Sequence, residues 1–449
     1  MTDGQSQPKQ SEPHSQQSES PGKPQAGQPQ SRARSQQRPQ RHERPVRDST
    51  PAEAPVLLSG ARLPDGRIVD VRLVGPRIEA VGTAGSLSTD TATRVDLAGY
   101  LLLPAPAEPH AHLDSALTAD GEGPPSNETD DVQRRVIEAA LLQLGHGATA
   151  LRTHVRIGDV QGLLGLEAVL QARRALRGLV ELHAVAVPRV LTGAAGADGL
   201  AMLRDAVGMG AAVIGGCPDL DPDPAGYVEA VLEVAAGAGL PVDLHTEGDD
   251  PTRLVRLAAM AGGLRPGVAV GPCAGLARLP WDTVTRVAGQ LAAAGVSVVC
   301  LPQGGCGALE SARRAGAAPV RRLRAAGVRV AAGSGALRDL TNPVGRGDPL
   351  EAAFLLASQG ECDATEAYDT VSAQARTVLG LPRVRIEAGF PAELLAVRAE
   401  RVEAMLSLAY SRIVIHRGRL VSRTSAVREY TDTIALDLPR QARSRKDPA

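Results

Sequence analysis

Tyr100-Leu-Leu-Leu-Pro104 is the point at which this 449-residue sequence changes its rhythm. Before it stand three short β-type runs, Val56-Leu-Leu-Ser-Gly60, Ile68-Val-Asp-Val-Arg-Leu-Val74 and Arg77-Ile-Glu-Ala-Val81, separated by Pro-Asp-Gly and Gly-Pro turn signals. They predict a small antiparallel sheet. After it, short β-branched runs alternate with longer Ala, Leu and Arg segments of helical period, the pattern of repeated βα units. The strand cores are predicted at Leu101–Leu103, Ala148–Val155, Val180–Val187, Ala212–Gly215, Val242–His245, Val268–Val270, Val296–Leu301 and Val328–Ala332. Eight parallel strands with helices between them close a barrel.

Working outward, Thr365–Leu379 has helical period, and Gly389-Phe-Pro-Ala-Glu-Leu-Leu-Ala-Val397 and Arg412-Ile-Val-Ile-His-Arg-Gly-Arg-Leu-Val421 read as strands that rejoin the first sheet. The expected fold is therefore α/β: a (β/α)8 TIM barrel over 101–384, with a small β-sandwich-like domain assembled from 56–100 and 385–436. Residues 1–55 are rich in Gln, Ser, Pro and Arg and nearly free of aliphatic side chains. Such a segment buries too little apolar surface to offset its ordering entropy, so it is expected to be disordered, as are residues 437–449. Arg32, Arg34, Arg38, Arg41, Arg44 and Arg47 offer charge for a polyanion, but no aromatics are interleaved with them. A solvated tail is the favoured reading, and nucleic acid is not an expected partner.

The formal net charge is −1 and no apolar run reaches the eighteen or so residues of a membrane span. The five cysteines show no CxxC or disulfide-like spacing and the start has no apolar signal region, which points to a reducing cytoplasm. Trp281, Phe354 and Phe390 are the only Trp or Phe residues, so a pocket that sandwiches a flat ring has few side chains to draw on.

His110-Ala-His112 follows the first strand run. In extended backbone the i, i+2 spacing turns both imidazoles to one side, as two ligands of one metal require. His245 lies at the C-terminal end of the fifth predicted strand, the end at which such barrels build their sites. Three histidines plus water suit one divalent metal, zinc or iron. Ordinary hydrogen-bonded histidines are the alternative that spacing alone leaves open.

Several motifs together resemble the amidohydrolase superfamily, in its cytosine-deaminase-like branch. Glu108-Pro-His-Ala-His-Leu-Asp-Ser-Ala-Leu-Thr118 resembles the strand-one motif of that branch, and Gly147-Ala-Thr-Ala-Leu-Arg-Thr-His-Val155 its second strand. Val242-Asp-Leu-His-Thr-Glu-Gly-Asp-Asp-Pro251 resembles the fifth strand, Asn342-Pro-Val-Gly-Arg-Gly-Asp-Pro-Leu350 the segment after strand eight, and Gly389-Phe-Pro-Ala-Glu-Leu394 the return to the small sheet. The resemblance implies a metal-dependent hydrolase or deaminase that acts on a C–N bond, other than a peptide bond, in a small cyclic or amide substrate. It implies His110, His112 and His245 as metal ligands, and relatives of this kind often self-associate.

Other positions depart from the family pattern. Pro272 stands where a strand-six histidine is expected, and Gly335 where a strand-eight aspartate would ligate the metal and take the proton of the attacking water. The usual proton-shuttling glutamate lies three residues after the strand-five histidine, but here Glu247 lies two after it and Gly248 holds the expected place. General-base work then falls to Glu247 or Asp339, with Asp249 and the more remote Asp114 as further candidates. His154 and Arg189 are candidate substrate contacts, Arg189 for an anion. Lys9, Lys23 and Lys446 are the only lysines, all in the tails, so a metal pair bridged by a carboxylated lysine is excluded. The second reading is a catalytically degenerate barrel that binds a ligand or partner without turnover.

Overall fold

The computed structural model describes residues 54–87, 92–121, 124–158, 161–304, 317–408 and 410–426. Apart from residues 54 and 55, the tails read as disordered lie outside these segments. The first strands are β1 (Val56–Arg62), β2 (Ile68–Val74), β3 (Arg77–Thr83), β4 (Thr93–Asp96) and β5 (Leu101–Pro104). They join β14 (Leu394–Val397), β15 (Arg412–His416) and β16 (Arg419–Thr424) in one sheet of order β16-β15-β14-β5-β1-β2-β3, with β4 paired to β1. The C-terminal strands thus return to the N-terminal ones, as the sequence predicts.

The second sheet is the barrel: β6 (Glu108–Ala111), β7 (Ala150–Ile157), β8 (Glu181–Pro188), β9 (Val213–Gly216), β10 (Val242–Thr246), β11 (Val268–Pro272), β12 (Ser297–Cys300) and β13 (Val330–Ala332), each parallel to the next. Helices follow most strands, among them α1 (Thr129–Gly145), α2 (Leu164–Ala175), α3 (Gly196–Met209), α4 (Pro224–Ala238), α5 (Pro251–Ala261) and α6 (Trp281–Ala294). The caps are legible locally. Asp223 and Asp250 each accept two backbone N–H bonds at the starts of α4 and α5, and Pro fills the first helical position of both.

Seven of the eight predicted strand cores fall on barrel strands. The eighth is a correction, because Leu101–Leu103 is a strand of the other sheet, paired antiparallel with β14 as Leu395↔Leu103 and Val397↔Leu101. Its two faces are both buried. Leu101 and Leu103 belong to the large barrel core, while Leu102 packs with Leu58, Val71, Leu394 and Ile413 in the small-sheet core. A strand covered on both sides reads as a continuous apolar run, which is also how a barrel strand reads. The true first barrel strand is Glu-Pro-His-Ala, whose polar inward residues hide it from a hydrophobicity reading.

An apolar floor closes the N-terminal end of the barrel. Ala107, Ala150, Ala269, Val299 and Ala331 meet Ala375 and Leu379, in and just after a short helix at Ala373–Val378. Side chains on β7 then rise from this floor at alternate positions, Arg152, His154 and Arg156. The ring closes where Ala111 bridges Gly335, with the Gly335 N–H donating to the His110 carbonyl at 3.1 Å.

Candidate metal centre

The C-terminal end of β6 is shaped by Glu108. Its carboxylate accepts from the His110 N–H at 3.0 Å and from both the N–H and the hydroxyl of Ser334, tying the first strand to the segment after the eighth. Burial raises this carboxyl to about 7 against the opposing pull of the Ser334 donors. Gly333 is required beside it, since a Cβ there would stand 2.6 Å from Glu108 Oε1.

Above this clamp four imidazoles converge, from His110 and His112 at the end of β6, His154 on β7 and His245 on β10. One nitrogen from each lies within 4.8 Å of the others. Ring centroids are 4.1 Å apart for His110 and His154, 4.6 Å for His154 and His245, and 4.7 Å for His110 and His245. Both ring nitrogens of His110, His154 and His245, and Nε2 of His112, are buried without a hydrogen-bond partner. Leaving a buried polar atom unmade costs about 1–3 kcal/mol. Seven such atoms on four adjacent rings are the signature of a site that a cation completes, so the residues present fit a metal ion. Burial pushes His110 and His112 well below the ordinary imidazole value, and the neighbouring rings add to it. Burial also takes His245 down to about 3, with His154 adding to it and Asp243 opposing. Neutral imidazole is the form that ligates.

Beneath His154 lies a buried ion pair that the sequence reading did not single out. Arg152 Nη1 donates to Asp243 Oδ2 at 2.9 Å, and Nη2 to the Val378 carbonyl at 3.0 Å. His154 Nε2 is 3.4 Å from the same Asp243 oxygen. Burial alone would raise the Asp243 carboxyl, but His154 and the Arg152 guanidinium hold it well below the usual range. The signal for this pair was present as two charged residues, each two positions before a histidine, in otherwise apolar strands.

The remaining candidates sit elsewhere. Glu247 is one residue past the end of β10, buried, with both carboxylate oxygens unpartnered, yet it is not a member of the ligand group. Burial raises its carboxyl against the pull of Arg278. Its backbone is fixed, as the Gly275 N–H donates to the Glu247 carbonyl at 2.8 Å and Asp219 accepts from the Thr246 hydroxyl at 2.8 Å. Asp114 keeps a buried, unpartnered Oδ1, and burial raises it to about 6 although Arg156 and Arg135 oppose this. Asp339 Oδ1 accepts from Thr341 N–H and hydroxyl and from Asn342 N–H, which makes it the cap of its own turn. Arg189 is exposed just past Pro188, the last residue of β8. Cys273 and Cys300 are fully buried, and burial pushes their thiols far up, so they pack rather than react.

Among the described residues, no carboxylate from the eighth-strand side joins the four imidazoles. Gly335 has φ +70°, and a Cβ there would lie 3.2 Å from Leu301 Cδ1. Pro272 closes β11 in register with Thr246, and Gly271 is in register with His245.

The model of the amidohydrolase family matches residues 197–422, just over half of the chain. A pterin deaminase from Rhizobium rhizogenes is 26% identical over 437 residues, which cover 86% of this chain and 98% of that protein. Among solved structures, N-isopropylammelide isopropylaminohydrolase from Burkholderia multivorans superposes with TM-score 0.74 at 24% identity, covering 83% of this chain and all of that one. The 5-methylcytosine deaminase from Klebsiella pneumoniae, liganded with 5-fluorocytosine, superposes with TM-score 0.72 at 22% identity, covering 84% and 99%.

Proposed function

The chain belongs to the amidohydrolase family, and on that premise we propose that it is a metal-dependent hydrolase or deaminase that cleaves a C–N bond, other than a peptide bond, in a small cyclic or amide substrate. The observation that carries this reading is the group of buried histidines with unpartnered nitrogens at the C-terminal ends of barrel strands, where such folds place their chemistry. His110, His112 and His245 would hold one divalent ion, zinc or iron. Such an ion supplies Lewis-acid polarisation and brings the pKa of water down toward about 7.

The protein's own share of the chemistry is proton movement and positioning. Glu247 is the proton carrier in this reading: its carboxylate oxygens are buried and unpartnered, and burial raises its carboxyl above the ordinary value, which suits a group that takes and returns a proton. Asp339 is a weaker candidate, because its Oδ1 already accepts three bonds within its turn. Arg189, exposed just past β8, is the residue this reading assigns to an anionic group on the substrate. Three relatives are named for pterin, N-isopropylammelide and 5-methylcytosine. Nitrogen-containing rings are accordingly the first class to test. Among the described residues the ring contacts of the four histidines are with one another. A cytoplasmic setting is part of the proposal, supported by the buried free thiols of Cys273, Cys300 and Cys362.

The test is release of ammonia or amine from aminopyrimidines, aminopterins, aminotriazines and cyclic amides by zinc-loaded and iron-loaded protein. Turnover that disappears in His110→Ala/His112→Ala supports the reading. A metal-loaded protein that binds members of the panel but turns none over favours the second reading, a ligand-binding barrel without catalysis. Gly335 and Pro272 are the specific observations on that side.

A further inference from the structure

Resting on the metal-centre reading above, we propose that His154 is a fourth protein ligand of the ion, and that Asp243 and Arg152 are positioning residues that aim its ring. The sequence suggests His154 as a substrate contact, but three observations place it with the metal instead. It contributes to the same group of ligand atoms as His110, His112 and His245, and its ring is 4.1 Å from that of His110 and 4.6 Å from that of His245, centroid to centroid. It is 1% exposed and its Nδ1 is buried without a hydrogen-bond partner, so it is sealed beneath the mouth rather than presented to incoming substrate.

The third observation is the support behind it. Nε2 faces Asp243 Oδ2 at 3.4 Å, which leaves Nδ1 for the group, and that carboxylate is itself anchored by Arg152 at 2.9 Å. A ligating histidine backed by a carboxylate through its other nitrogen is the usual way a protein fixes ring orientation at a metal. Arg152 reaches on to the Val378 carbonyl, so the ring is braced against the barrel floor. No carboxylate oxygen joins the ligand group among the described residues, and Gly335 offers no donor from its side. The resulting set is four neutral imidazoles that leave the ion's charge uncompensated, a set that also suits cobalt, nickel and copper.

The test is cobalt(II) titration of wild-type protein, His154→Ala and Asp243→Asn, followed by visible absorption and by competition for affinity. In His154→Ala the dissociation constant is expected to rise by more than about 100-fold, with an altered d–d spectrum. In Asp243→Asn it should rise about 10–100-fold. Wild-type affinity and spectrum in His154→Ala would overturn the proposal and leave a three-histidine centre standing. Failure of wild-type protein to bind cobalt or zinc would instead remove the metal-centre reading, and this proposal with it. If His154→Ala does not fold, a crystal structure of the zinc-loaded wild-type protein decides. A His154 nitrogen about 2.0–2.1 Å from the ion supports fourth-ligand status, and three imidazoles on the ion with His154 turned away refutes it.

Discussion

Strands β6, β7 and β10 carry Glu108, His110, Arg152, His154, Asp243 and His245, whereas β11, β12 and β13 and the turn after β13 place Ala269, Gly271, Val299, Ala331 and Gly333 at the corresponding positions. One side of the barrel is polar, mutually braced and gathered around the four imidazoles. The other is apolar and so tight that a Cβ on Gly271 would stand 2.3 Å from the Val299 carbonyl. Holding an ion and moving a proton are therefore separable tasks in this fold. The strands on the first side carry the four imidazoles, while Glu247, the proposed proton carrier, lies in the loop after β10.

The strongest way to break that contrast is to remove the equipped side. His110→Ala/His112→Ala is expected to lose essentially all bound zinc, measured by mass spectrometry of the dialysed protein, while keeping the fold by circular dichroism. Retained zinc would mean that the ion sits elsewhere. Glu247→Gln asks whether the proton carrier lies outside the ligand strands. Its kcat should fall about 10²–10⁴-fold with metal content unchanged, and an unaltered rate would shift the role to Asp114 or Asp339.

Stability tests sharpen the same contrast. Asp243→Ala strands the buried Arg152 guanidinium and should cost about 3–5 kcal/mol in urea unfolding. Arg152→Met/Asp243→Leu should recover most of that loss, and if it does not, the pair contributes more than charge compensation. Leu395→Ala, at the contact between the small sheet and the barrel core, should cost about 2–5 kcal/mol by the same measurement. The smallest effect is expected from Gly335→Asp. A left-handed φ costs an ordinary residue about 1–2 kcal/mol, and the new side chain meets Leu301, so modest destabilisation without tighter zinc binding is predicted. Tighter binding would show that the eighth-strand side can still supply a ligand.

Much of this architecture is legible in the sequence because β-branched runs and helical segments alternate with little interruption from Ala148 onward. Legibility fails where burial and periodicity decouple. Leu101–Leu103 is apolar on both faces because two cores sandwich it, while Glu108–Ala111 is a barrel strand with a glutamate and a histidine inside. The i, i+2 pair His110 and His112 was readable from strand parity alone, and His245 from its place at a strand end. The same parity holds for Arg152 and His154, and for Asp243 and His245, which are two residues apart and so share a face. What no pattern could give is that these two pairs meet across the barrel, because β7 and β10 are separated in the sheet by β8 and β9.

The metal-binding and catalytic predictions all rest on the histidine group holding an ion. Zinc and iron content of the purified, untagged wild-type protein, before and after reconstitution with each metal, tests it most directly. About one ion per chain is expected. No bound ion under either condition would contradict it.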